Sequence, residues 1–458
     1  MTPLWTSAEI EAATGGVASA PFEVSGVTFD SREAGPGDLF VAMPGTASDG
    51  HAFVDQAFAQ GAVAALVSNA VTGPHVLVLD VAEALTALAI EARRRTDATV
   101  IGVTGSVGKT STKEALAAAL ARSRKGPVHR SVKSYNNHTG VPLSLARMPQ
   151  DTRFAVLEMG MNHAGEIAAL TRLVRPHVAL ITAIASAHIE QLGSMEAIAD
   201  AKSEIFEGLE KEGIAVIPDD SPYRDRLVRA ARDHAERTIT FGRGADADVA
   251  TMQAARSEEG GSLVTARLVD SELTFTLSQR GDHWISNAMA VLAAVEAVGG
   301  DLGAAGLALA DLGGLKGRGE RHLVAVDGGS ALLIDESYNA NPASMAATLA
   351  SLGDEQVTGR RIAVLGPMRE LGPQAAAMHE ALAELVRAAK VERLVLVGDE
   401  MRGLAASLDG EIELVVAGTV EEATRLVKAI LGPGDAVLVK ASNSVGLAGL
   451  VDRVAGAS

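Results

Sequence analysis

The sequence contains no cysteine among its 458 residues. This absence excludes disulfide bridges, thiolate metal sites and cysteine nucleophiles, so a bound metal such as Mg²⁺ would have to be held by oxygen ligands or histidine. Apolar runs of the about eighteen residues that a membrane-spanning helix needs are lacking too. Residues 1–16 carry Glu9 and Glu11 and no cationic segment typical of a secretory signal. We therefore expect a cytoplasmic protein. We also expect it to be a monomer, although the sequence does not reveal its oligomeric state.

Positive charge is in deficit, because 40 lysines and arginines stand against 57 aspartates and glutamates, for a formal net charge of −17. This balance argues against non-specific binding to nucleic acids or anionic membranes, which both need a basic face. Anionic ligands must then be met by local lysines, arginines and helix N-termini. The length predicts about three domains. A hydrophobic content of 47% with 47 glycines suits compact α/β units.

A short segment, residues 100–111, joins an apolar strand, a glycine-containing turn and the start of a helix that we expect to open at residue 111. Gly105 and Gly108 let the backbone turn tightly and bring N–H groups against phosphate oxygens. Lys109 can reach the terminal phosphates, and Thr110 can hold Mg²⁺. The alternative, a chance glycine-rich turn with a surface lysine, is disfavoured by the flanking strand and helix. The segment predicts an ATP site.

The spacing of this turn is irregular. The pattern G-x-x-x-x-G-K-[ST] is not met, because Val103 stands where the first glycine should be, and the match is to the shorter G-x-x-G-K-T preceded by a threonine. The predicted ATP-binding residues of the turn are Thr104, Gly105, Ser106, Val107, Gly108, Lys109, Thr110 and Ser111.

Beyond the turn, strands and helices alternate in a doubly wound pattern. The predicted elements are strand 154–158, helix 165–174, strand 178–184, helix 195–209, strand 214–217, helix 225–235, an antiparallel excursion over 262–278 and helix 288–298. Ligands in such sheets collect at the carboxyl ends of the strands. Glu158 ends a strand beside the phosphate turn, which favours a Mg²⁺ role over a helix cap. His188 follows strand 178–184 and is a candidate metal ligand, although a lone histidine is more often a plain hydrogen-bonding group.

Lys202 lies on a predicted helix in the same half of this domain. Such a lysine is usually solvated. An ammonium that faced Mg²⁺ would be repelled, so a lysine on the metal side would have to be neutralised, most simply as a carbamate formed with CO₂.

Two further pairs of polar residues have alternative interpretations. Ser31 and Arg32 stand at a strand end, where they could meet a diphosphate or a uracil carbonyl, but a surface ion pair of Asp30 with Arg32 is equally natural. His283 could stack on an adenine whose edge Asn287 hydrogen-bonds. The asparagine could equally be a buried polar group bonded to neighbouring backbone.

The segment from Gly313 to Arg321 is glycine-rich and basic, and it predicts a flexible hinge between domains. Arg318 is well placed to swing onto a terminal phosphate. A second doubly wound set follows, with strands 331–335, 361–366, 393–398, 412–417 and 436–440 and helices 342–352, 374–389 and 420–431. Asp335, Asn339 and Asn341 fall at its pocket-forming edge, although Asn-x-Asn-Pro is also an ordinary turn and helix cap.

Together these segments resemble the Mur ligases of peptidoglycan synthesis, nearly from end to end. The most specific motifs are Asp30-Ser-Arg32, Gly37-Asp-Leu-Phe40, Asp49-Gly-His51, Thr104-Gly-Ser-Val-Gly-Lys-Thr110, Tyr135-Asn-Asn-His-Thr-Gly-Val-Pro142, Glu158-Met-Gly-Met-Asn-His163 and Asp335-Glu-Ser-Tyr-Asn-Ala-Asn-Pro342. The last three indicate the branch that adds D-alanyl-D-alanine to UDP-N-acetylmuramoyl-tripeptide. The sequence departs from the family pattern at two positions expected near the dipeptide. Pro367 stands where the family usually has aspartate, and Asn443 stands where it frequently has arginine.

The resemblance implies an α/β fold of three domains: a UDP-sugar-binding module at 1–83, a central doubly wound ATPase domain at 84–314 and a Rossmann-like C-terminal domain at 315–458 that receives the dipeptide amine. It implies an ATP-dependent ligase that forms an amide through an acyl phosphate and supports cell-wall growth, cell shape and division.

The same resemblance implies roles for individual residues. The implied catalytic residues are Lys109, Glu158, His188, Lys202 and Arg318. The implied Mg²⁺ ligands are Thr110, Glu158, His188 and Lys202, the last as a carbamate.

The resemblance also implies ligand-binding residues outside the phosphate turn. ATP would be bound by His283, Asn287, Arg318 and Asp335 as well. The substrates would be bound by Ser31, Arg32, Asn136, Asn137, His138, Asn162, Tyr338, Asn339 and Asn341.

Other functions remain open at this point. A sibling ligase that adds one amino acid, or a ligase like folylpolyglutamate synthase, would differ in the amine it accepts. A nucleotide-switched binding module would hydrolyse ATP slowly without ligation, and a simple kinase would leave a stable phosphorylated product.

Overall fold

The computed structural model describes residues 2–45, 48–257 and 260–456. Within these residues the chain forms sheets of nine, six and five strands and one two-stranded pair. The three larger sheets follow one another along the chain, which confirms the expected α/β fold of three domains. No helix in the described ranges is long and apolar enough to cross a membrane.

The N-terminal domain carries the five-stranded sheet, in the order β2-β7-β6-β5-β4, and the separate antiparallel pair β1 and β3. Its strands are β1 Trp5–Thr6, β2 Val17–Ala18, β3 Glu23–Val24, β4 Gly26–Thr28, β5 Asp38–Val41, β6 Ala64–Val67 and β7 His75–Leu77, and its helices are α1 Ser7–Thr14, α2 Val54–Ala59 and α3 Val81–Arg94. Helix α3 starts where the Asp80 carboxylate accepts hydrogen bonds from two backbone N–H groups. Its apolar face packs toward the central domain, against α5.

The central domain has the nine-stranded sheet, in the order β16-β15-β14-β13-β12-β11-β8-β10-β9. Its strands are β8 Thr99–Thr104, β9 Val128–Arg130, β10 Phe154–Glu158, β11 Val178–Ile181, β12 Ile214–Pro218, β13 Arg237–Gly242, β14 Val249–Arg256, β15 Ser262–Arg267 and β16 Glu272–Leu277. Its helices are α4 Lys109–Arg122, α5 Gly140–Ala146, α6 Glu166–Val174, α7 Ile189–Leu192, α8 Met195–Ser203, α9 Arg224–Ala231, α10 Asp282–Ala297 and α11 Leu302–Ala310.

The seven strands β8 to β14 run parallel to one another, and β15 and β16 add to the sheet through antiparallel pairing. Apolar clusters cover both faces of this sheet, as a buried parallel sheet requires. Strand β8 lies between β10 and β11, so the chain leaves its carboxyl end at a point where the connections diverge to either side. Such a switch point opens a crevice for ligands.

The C-terminal domain has the six-stranded sheet, in the order β17-β18-β22-β19-β20-β21. Its strands are β17 Glu320–Val326, β18 Gly329–Glu336, β19 Arg361–Leu365, β20 Arg393–Val397, β21 Glu413–Ala417 and β22 Ala436–Lys440. Its helices are α12 Pro342–Gly353, α13 Ala375–Glu380, α14 Leu382–Ala388, α15 Arg402–Ser407, α16 Val420–Ile430 and α17 Ala448–Ala455. Helix α12 opens with a capping box of Asn341 and Ser344 and with proline at its first position.

Several predicted bounds in the central domain are wrong. Helix α4 begins at Lys109 instead of Ser111, and the predicted strand 178–184 ends at Ile181. The predicted helix 195–209 stops at Ser203 and continues as a 3₁₀ turn, Glu204–Gly208.

The side chain of Glu204, the first residue of this 3₁₀ turn, contacts a neighbouring helix. Its carboxylate accepts hydrogen bonds from the N–H groups of Gly165, at 2.7 Å, and Ala168, at 3.1 Å. These groups belong to the start of α6, whose first N–H groups lack partners within the helix. The tightened turn at 204–208 therefore places a carboxylate that caps a neighbouring helix.

The C-terminal domain also differs from prediction. The predicted helix 374–389 is two helices, α13 and α14, and strand β17 was not predicted. The segment expected to be a flexible hinge is a hydrogen-bonded turn, in which the Arg318 N–H donates to Leu315 O at 2.7 Å and the Gly319 N–H to Asp335 O at 2.8 Å.

Candidate active site

The phosphate turn lies at the carboxyl end of β8. Gly105 and Gly108 have φ of 150° and 83°, which favour glycine. A Cβ on Gly105 would lie 1.9 Å from Thr182 Oγ1, and one on Gly108 would lie 2.9 Å from Asn287 Oδ1. Gly105 is therefore required by close approach as well as by backbone conformation, and Gly108 mainly by backbone conformation. The turn leads directly into the N-terminus of α4, which attracts anions.

Glu158 ends β10 next to this turn and is completely buried. Thr110 Oγ1 donates to its Oε2 at 2.9 Å, and Asn136 Nδ2 donates to its Oε1 at 2.7 Å. The Lys113 ammonium lies 3.9 Å from Oε2 and also donates to the carbonyl of Ser131 at 2.8 Å. A threonine hydroxyl beside a carboxylate is a hard oxygen pair of the kind that Mg²⁺ prefers, so these two residues fit the predicted metal role.

The Thr110 hydroxyl also connects the phosphate turn to the hinge. It lies 3.0 Å from Ser134 Oγ, which accepts a hydrogen bond of 3.4 Å from Arg318 Nη2. The Arg318 guanidinium stacks over the Tyr338 ring, with 4.2 Å between its central carbon and the ring centroid. Arg318 thus faces the phosphate turn in this structure, and its contact with a terminal phosphate stays a prediction.

Two lysines lie near the turn, Lys109 partly buried and Lys202 fully buried. Lys109 Nζ donates to Gly105 O at 2.8 Å, and burial lowers its pKa, while the nearby Glu158 acts in the opposite direction. Lys202 on α8 is 1% exposed, and burial and the charge of Lys109 lower its pKa well below the ordinary value for lysine. In the described part of the chain its amine has no hydrogen-bond or ion-pair partner. Lys202 is thus not the solvated lysine of the alternative interpretation.

His188 stands at the far side of the turn, where α7 begins with a left-handed residue. Its Nδ1 lies 2.6 Å from Glu370 Oε2 of the C-terminal domain. The side chain of His188 borders the same cavity as Glu158.

Helix α10 forms another wall. His283, Trp284 and Asn287 face the cavity from its first two turns. Burial lowers the pKa of His283 to about 4, and the charge of Lys440 acts in the same direction. The imidazole is therefore neutral at physiological pH, which suits stacking or hydrogen bonding with an uncharged base.

The C-terminal domain closes the cavity with the ends of β18 and β22. Asp335 is 1% exposed, and its two carboxylate oxygens accept hydrogen bonds from the N–H groups of Gly317, at 2.8 Å, and Ser337, at 3.0 Å. It anchors the hinge to the sheet. The next residue, Glu336, is paired in register with Lys440 on β22. Lys440 Nζ donates to Asn339 O at 2.9 Å and lies 3.5 Å from Glu336 Oε2.

These elements enclose a cavity of about 550 Å³ between the central and C-terminal domains. It is lined by predicted site residues from both: Ser106, Val107, Gly108, Lys109, Thr110, Ser111, Asn136, Asn137, Glu158, Asn162, His188, His283, Asn287, Arg318, Tyr338, Asn339 and Asn341. A phosphate-binding turn, a buried carboxylate and cationic side chains thus meet in one space of a size suited to a nucleotide and a reacting group.

Three family models match the chain in order: the Mur ligase family, catalytic domain, at residues 23–119; the Mur ligase middle domain at 103–295; and the Mur ligase, glutamate ligase domain, at 317–443. The UDP-N-acetylmuramoyl-tripeptide--D-alanyl-D-alanine ligase of Bacillus subtilis (strain 168) is 35% identical over 438 residues, covering 93% of this chain and 92% of the relative. The chain belongs to the Mur ligase family. The family resemblance of the sequence motifs is thereby confirmed.

Solved structures resemble this Mur ligase over nearly its whole length. MurF from Acinetobacter baumannii superimposes with a TM-score of 0.83 at 29% identity, covering 100% of this chain and 99% of that one. The MurF ligase from Thermotoga maritima, solved in complex with ADP, gives a TM-score of 0.76 at 28% identity and covers 94% of this chain and 97% of that one.

Other predicted residues of this Mur ligase do not line the cavity. Arg32 is exposed and pairs with Asp30 at 2.6 Å, while the buried Ser31 donates to Gln56 Oε1 at 3.0 Å. His138 borders a separate groove beside α3 in the N-terminal domain. The structure therefore places Ser31, Arg32 and His138 away from the phosphate turn, and their substrate roles stay predictions.

Sequence reasoning missed several residues that line the cavity, among them Ser134, Glu166, Trp284, Glu336 and Lys440. A signal existed for one of them. Lys440 ends the fully buried strand Ala436–Lys440, as Glu158 ends Phe154–Glu158, and a charged residue at the end of an apolar strand is the pattern that identified Glu158.

Proposed function

We propose that this Mur ligase joins D-alanyl-D-alanine to UDP-N-acetylmuramoyl-tripeptide with ATP, releasing ADP and phosphate. The single observation that carries the proposal is the cavity in which the phosphate turn and Glu158 of the central domain face Arg318, Asn339 and Asn341 of the C-terminal domain. The B. subtilis relative, similar over nearly the full length, bears the name of this ligase.

The domain roles follow the same proposal. Residues 1–83 would hold the UDP-sugar, 84–314 the ATP, and 315–458 the incoming dipeptide. Asn339 and Asn341 lie at the start of α12, where amide side chains and free N–H groups suit peptide carbonyl and carboxylate groups.

The chemistry starts from a poor electrophile, because a carboxylate does not react with an amine. Transfer of the γ-phosphoryl group of ATP to the tripeptide carboxylate makes an acyl phosphate. Lys109 and Arg318 place positive charge beside the phosphoryl group during this transfer. The dipeptide amine then attacks the acyl carbon, and phosphate leaves.

Thr110 and Glu158 would hold Mg²⁺, with His188 and Lys202 as further proposed ligands. Bound Mg²⁺ would neutralise charge on the nucleotide phosphates. His188 can serve only if its ring nitrogen that faces away from Glu370 is the ligand, because Nδ1 is already in contact with that carboxylate.

Lys202 is proposed to carry a carbamate. Its neutral amine would add to CO₂ and release one proton, which turns a buried neutral group into an anion with two oxygens. The lowered pKa of Lys202 supports this, because only the unprotonated amine reacts. Replacing Lys202 by alanine should abolish activity, and added short carboxylates should restore part of it. Full activity of the variant without them would contradict the carbamate.

The proposed function is tested by ADP release from the purified protein with ATP and Mg²⁺. Release should require both UDP-N-acetylmuramoyl-tripeptide and D-alanyl-D-alanine. Equal ATP turnover without the dipeptide would refute it. Exchanging the dipeptide for single amino acids tests the sibling ligases, and glutamate with a folate tests the folylpolyglutamate alternative. A stable phosphorylated product would indicate a kinase.

A further inference from the structure

The carboxylates on the cavity wall differ in the contacts that they already make and in the domain to which they belong. Among the described residues, the wall includes Glu158, Glu166 and Glu336. Both oxygens of Glu158 already accept hydrogen bonds, from Thr110 and Asn136. These contacts and the nearby phosphate turn assign Glu158 to the metal side.

Glu166 is also engaged. Its Oε2 accepts a hydrogen bond of 2.8 Å from the Asn162 N–H, within the exposed turn that precedes α6. It is part of the central domain, whereas the proposed dipeptide enters from the C-terminal domain. Glu336 is the remaining carboxylate, and it belongs to that domain.

Glu336 is held at the end of β18 with its side chain 19% exposed. The register of β18 with β22 places Lys440 beside it, and the ammonium of Lys440 bridges Glu336 Oε2, at 3.5 Å, and Asn339 O, at 2.9 Å. The carboxylate and the 337–341 loop are thus fixed by the same buried cation. That geometry leaves the Glu336 carboxylate directed at the cavity beside Asn339.

The charges around Glu336 leave it able to exchange a proton. Burial raises its pKa above the ordinary value for glutamate, and the neighbouring Asp335 acts in the same direction. Lys440 and Arg318 oppose this shift. Burial in turn lowers the pKa of Lys440. The nearby cations favour the ionised carboxylate before the dipeptide binds. The raised pKa keeps that carboxylate basic enough to accept a proton from the dipeptide.

We propose that Glu336 receives the ammonium group of the incoming dipeptide and accepts one of its protons, with Lys440 as the positioning residue. This inference rests on the proposed function. The first proton passes from the ammonium nitrogen to the Glu336 carboxylate and then to solvent. The free amine attacks the acyl carbon, the C–N bond forms, the C–O bond to the phosphate breaks, and the second nitrogen proton leaves with the expelled phosphate.

The test compares Glu336→Gln with wild type and with Glu320→Gln, a control glutamate on the adjacent strand β17 that does not line the cavity. Each protein is given ATP, Mg²⁺ and UDP-N-acetylmuramoyl-tripeptide, with either D-alanyl-D-alanine or hydroxylamine as the nucleophile. Hydroxylamine is largely unprotonated at neutral pH, so it can trap the acyl phosphate as a hydroxamate without a base. Thermal unfolding confirms that each variant is folded.

Glu336→Gln should lower kcat/KM for the dipeptide by about 100-fold or more and keep hydroxamate formation near the wild-type rate. Its dipeptide rate should go on rising with pH toward the amine pKa, where the wild-type rate levels off. Equal loss with both nucleophiles would assign Glu336 to the phosphoryl-transfer step and overturn the proposal. Unchanged dipeptide kinetics and an unchanged pH profile would also overturn it. Absence of ligation by the wild type would instead refute the proposed function itself.

Lys440→Met provides the test of positioning. Loss of the ammonium should change the pH dependence of the dipeptide reaction, because Lys440 opposes the rise in the Glu336 pKa. The variant should again spare the hydroxylamine reaction. A pH profile identical to that of the wild type would contradict a role through Glu336.

Discussion

Nδ1 of His188 in the central domain lies 2.6 Å from Oε2 of Glu370 in the C-terminal domain. Both residues have left-handed backbone, with φ of 60° and 63°, which costs energy for residues other than glycine. The Glu190 N–H donates to Glu370 O at 3.4 Å and adds a second link between the same two turns. The contact holds the two domains together at one end of the cavity.

Glu370→Gln should shift this Mur ligase toward a more open arrangement of domains. Because the Glu370 side chain is 44% exposed, the pair contributes at most about 1 kcal/mol, or about a fivefold change in the equilibrium. Small-angle scattering without ligands should give a larger radius of gyration. Glu400→Gln is a matched control, since it breaks the ion pair with Arg369 inside the C-terminal domain. An equal effect of both variants would contradict an interdomain role for Glu370.

Asn136→Leu should weaken the metal site without removing a proposed Mg²⁺ ligand, although it also removes a residue predicted to contact substrate. Its amide donates to Glu158 Oε1, so the substitution frees one carboxylate oxygen and leaves its orientation to Thr110 and Lys113. Loss of such an orienting hydrogen bond raises the Mg²⁺ concentration for half-maximal activity by about 10- to 100-fold. The measurement is ADP release against Mg²⁺ at saturating ATP. An unchanged Mg²⁺ dependence would remove Glu158 from the metal site.

Trp284 should report nucleotide binding. It lines the cavity and is 5% exposed. The other tryptophan, Trp5, is fully buried, and its Nε1 donates to Ala146 O at 2.8 Å. The central carbon of the Arg95 guanidinium lies 3.4 Å from the centroid of the Trp5 ring. In a Trp5→Phe variant, ATP should change the remaining fluorescence. In Trp284→Phe it should not. The lost hydrogen bond should cost Trp5→Phe about 1 kcal/mol of unfolding free energy.

The free energy of unfolding should fall between pH 6.5 and about 4 because of His129. Burial lowers its pKa to about 4, so the unfolded chain binds the proton first as the pH falls. A depressed pKa contributes stability that is complete above the unfolded value of 6.5 and is lost as the pH drops to about 4. The loss of unfolding free energy is on the order of 2 kcal/mol, which is less than the full pKa shift would give, because the His129 ring is only partly shielded from solvent. His129→Gln should flatten the melting temperature against pH, and an unaltered slope would contradict the assignment.

The part of the site around the phosphate turn could be predicted because its residues lie in short continuous segments of the sequence. Lys109 and Thr110 follow one strand and Glu158 ends another, and parallel strands bring their carboxyl ends to one edge. Hydrophobic runs such as Phe154–Glu158 identify such strands directly.

The amine side could not be predicted in the same way. Glu336 and Lys440 are 104 residues apart and meet only through the register of β18 with β22, which a single sequence does not specify. Strand β17 lies at the edge of its sheet and has a single buried residue, Val324, among exposed and partly buried ones, so its hydrophobic signal is weak. The hinge was expected to be flexible because its glycines were visible, whereas the Asp335 hydrogen bonds that order it come from another segment.

The strand order of the C-terminal sheet has a consequence for synthesis of the chain. Strand β22 lies between β18 and β19, so these two strands are joined in one sheet, and Lys440 reaches the cavity, only after the end of the C-terminal domain has been made. A nascent chain can form the phosphate turn once β11 has joined β8, yet the wall that carries Glu336 and Lys440 is incomplete until residue 440 has been added. ATP bound by a growing chain would therefore meet an open site without the groups that direct it toward ligation.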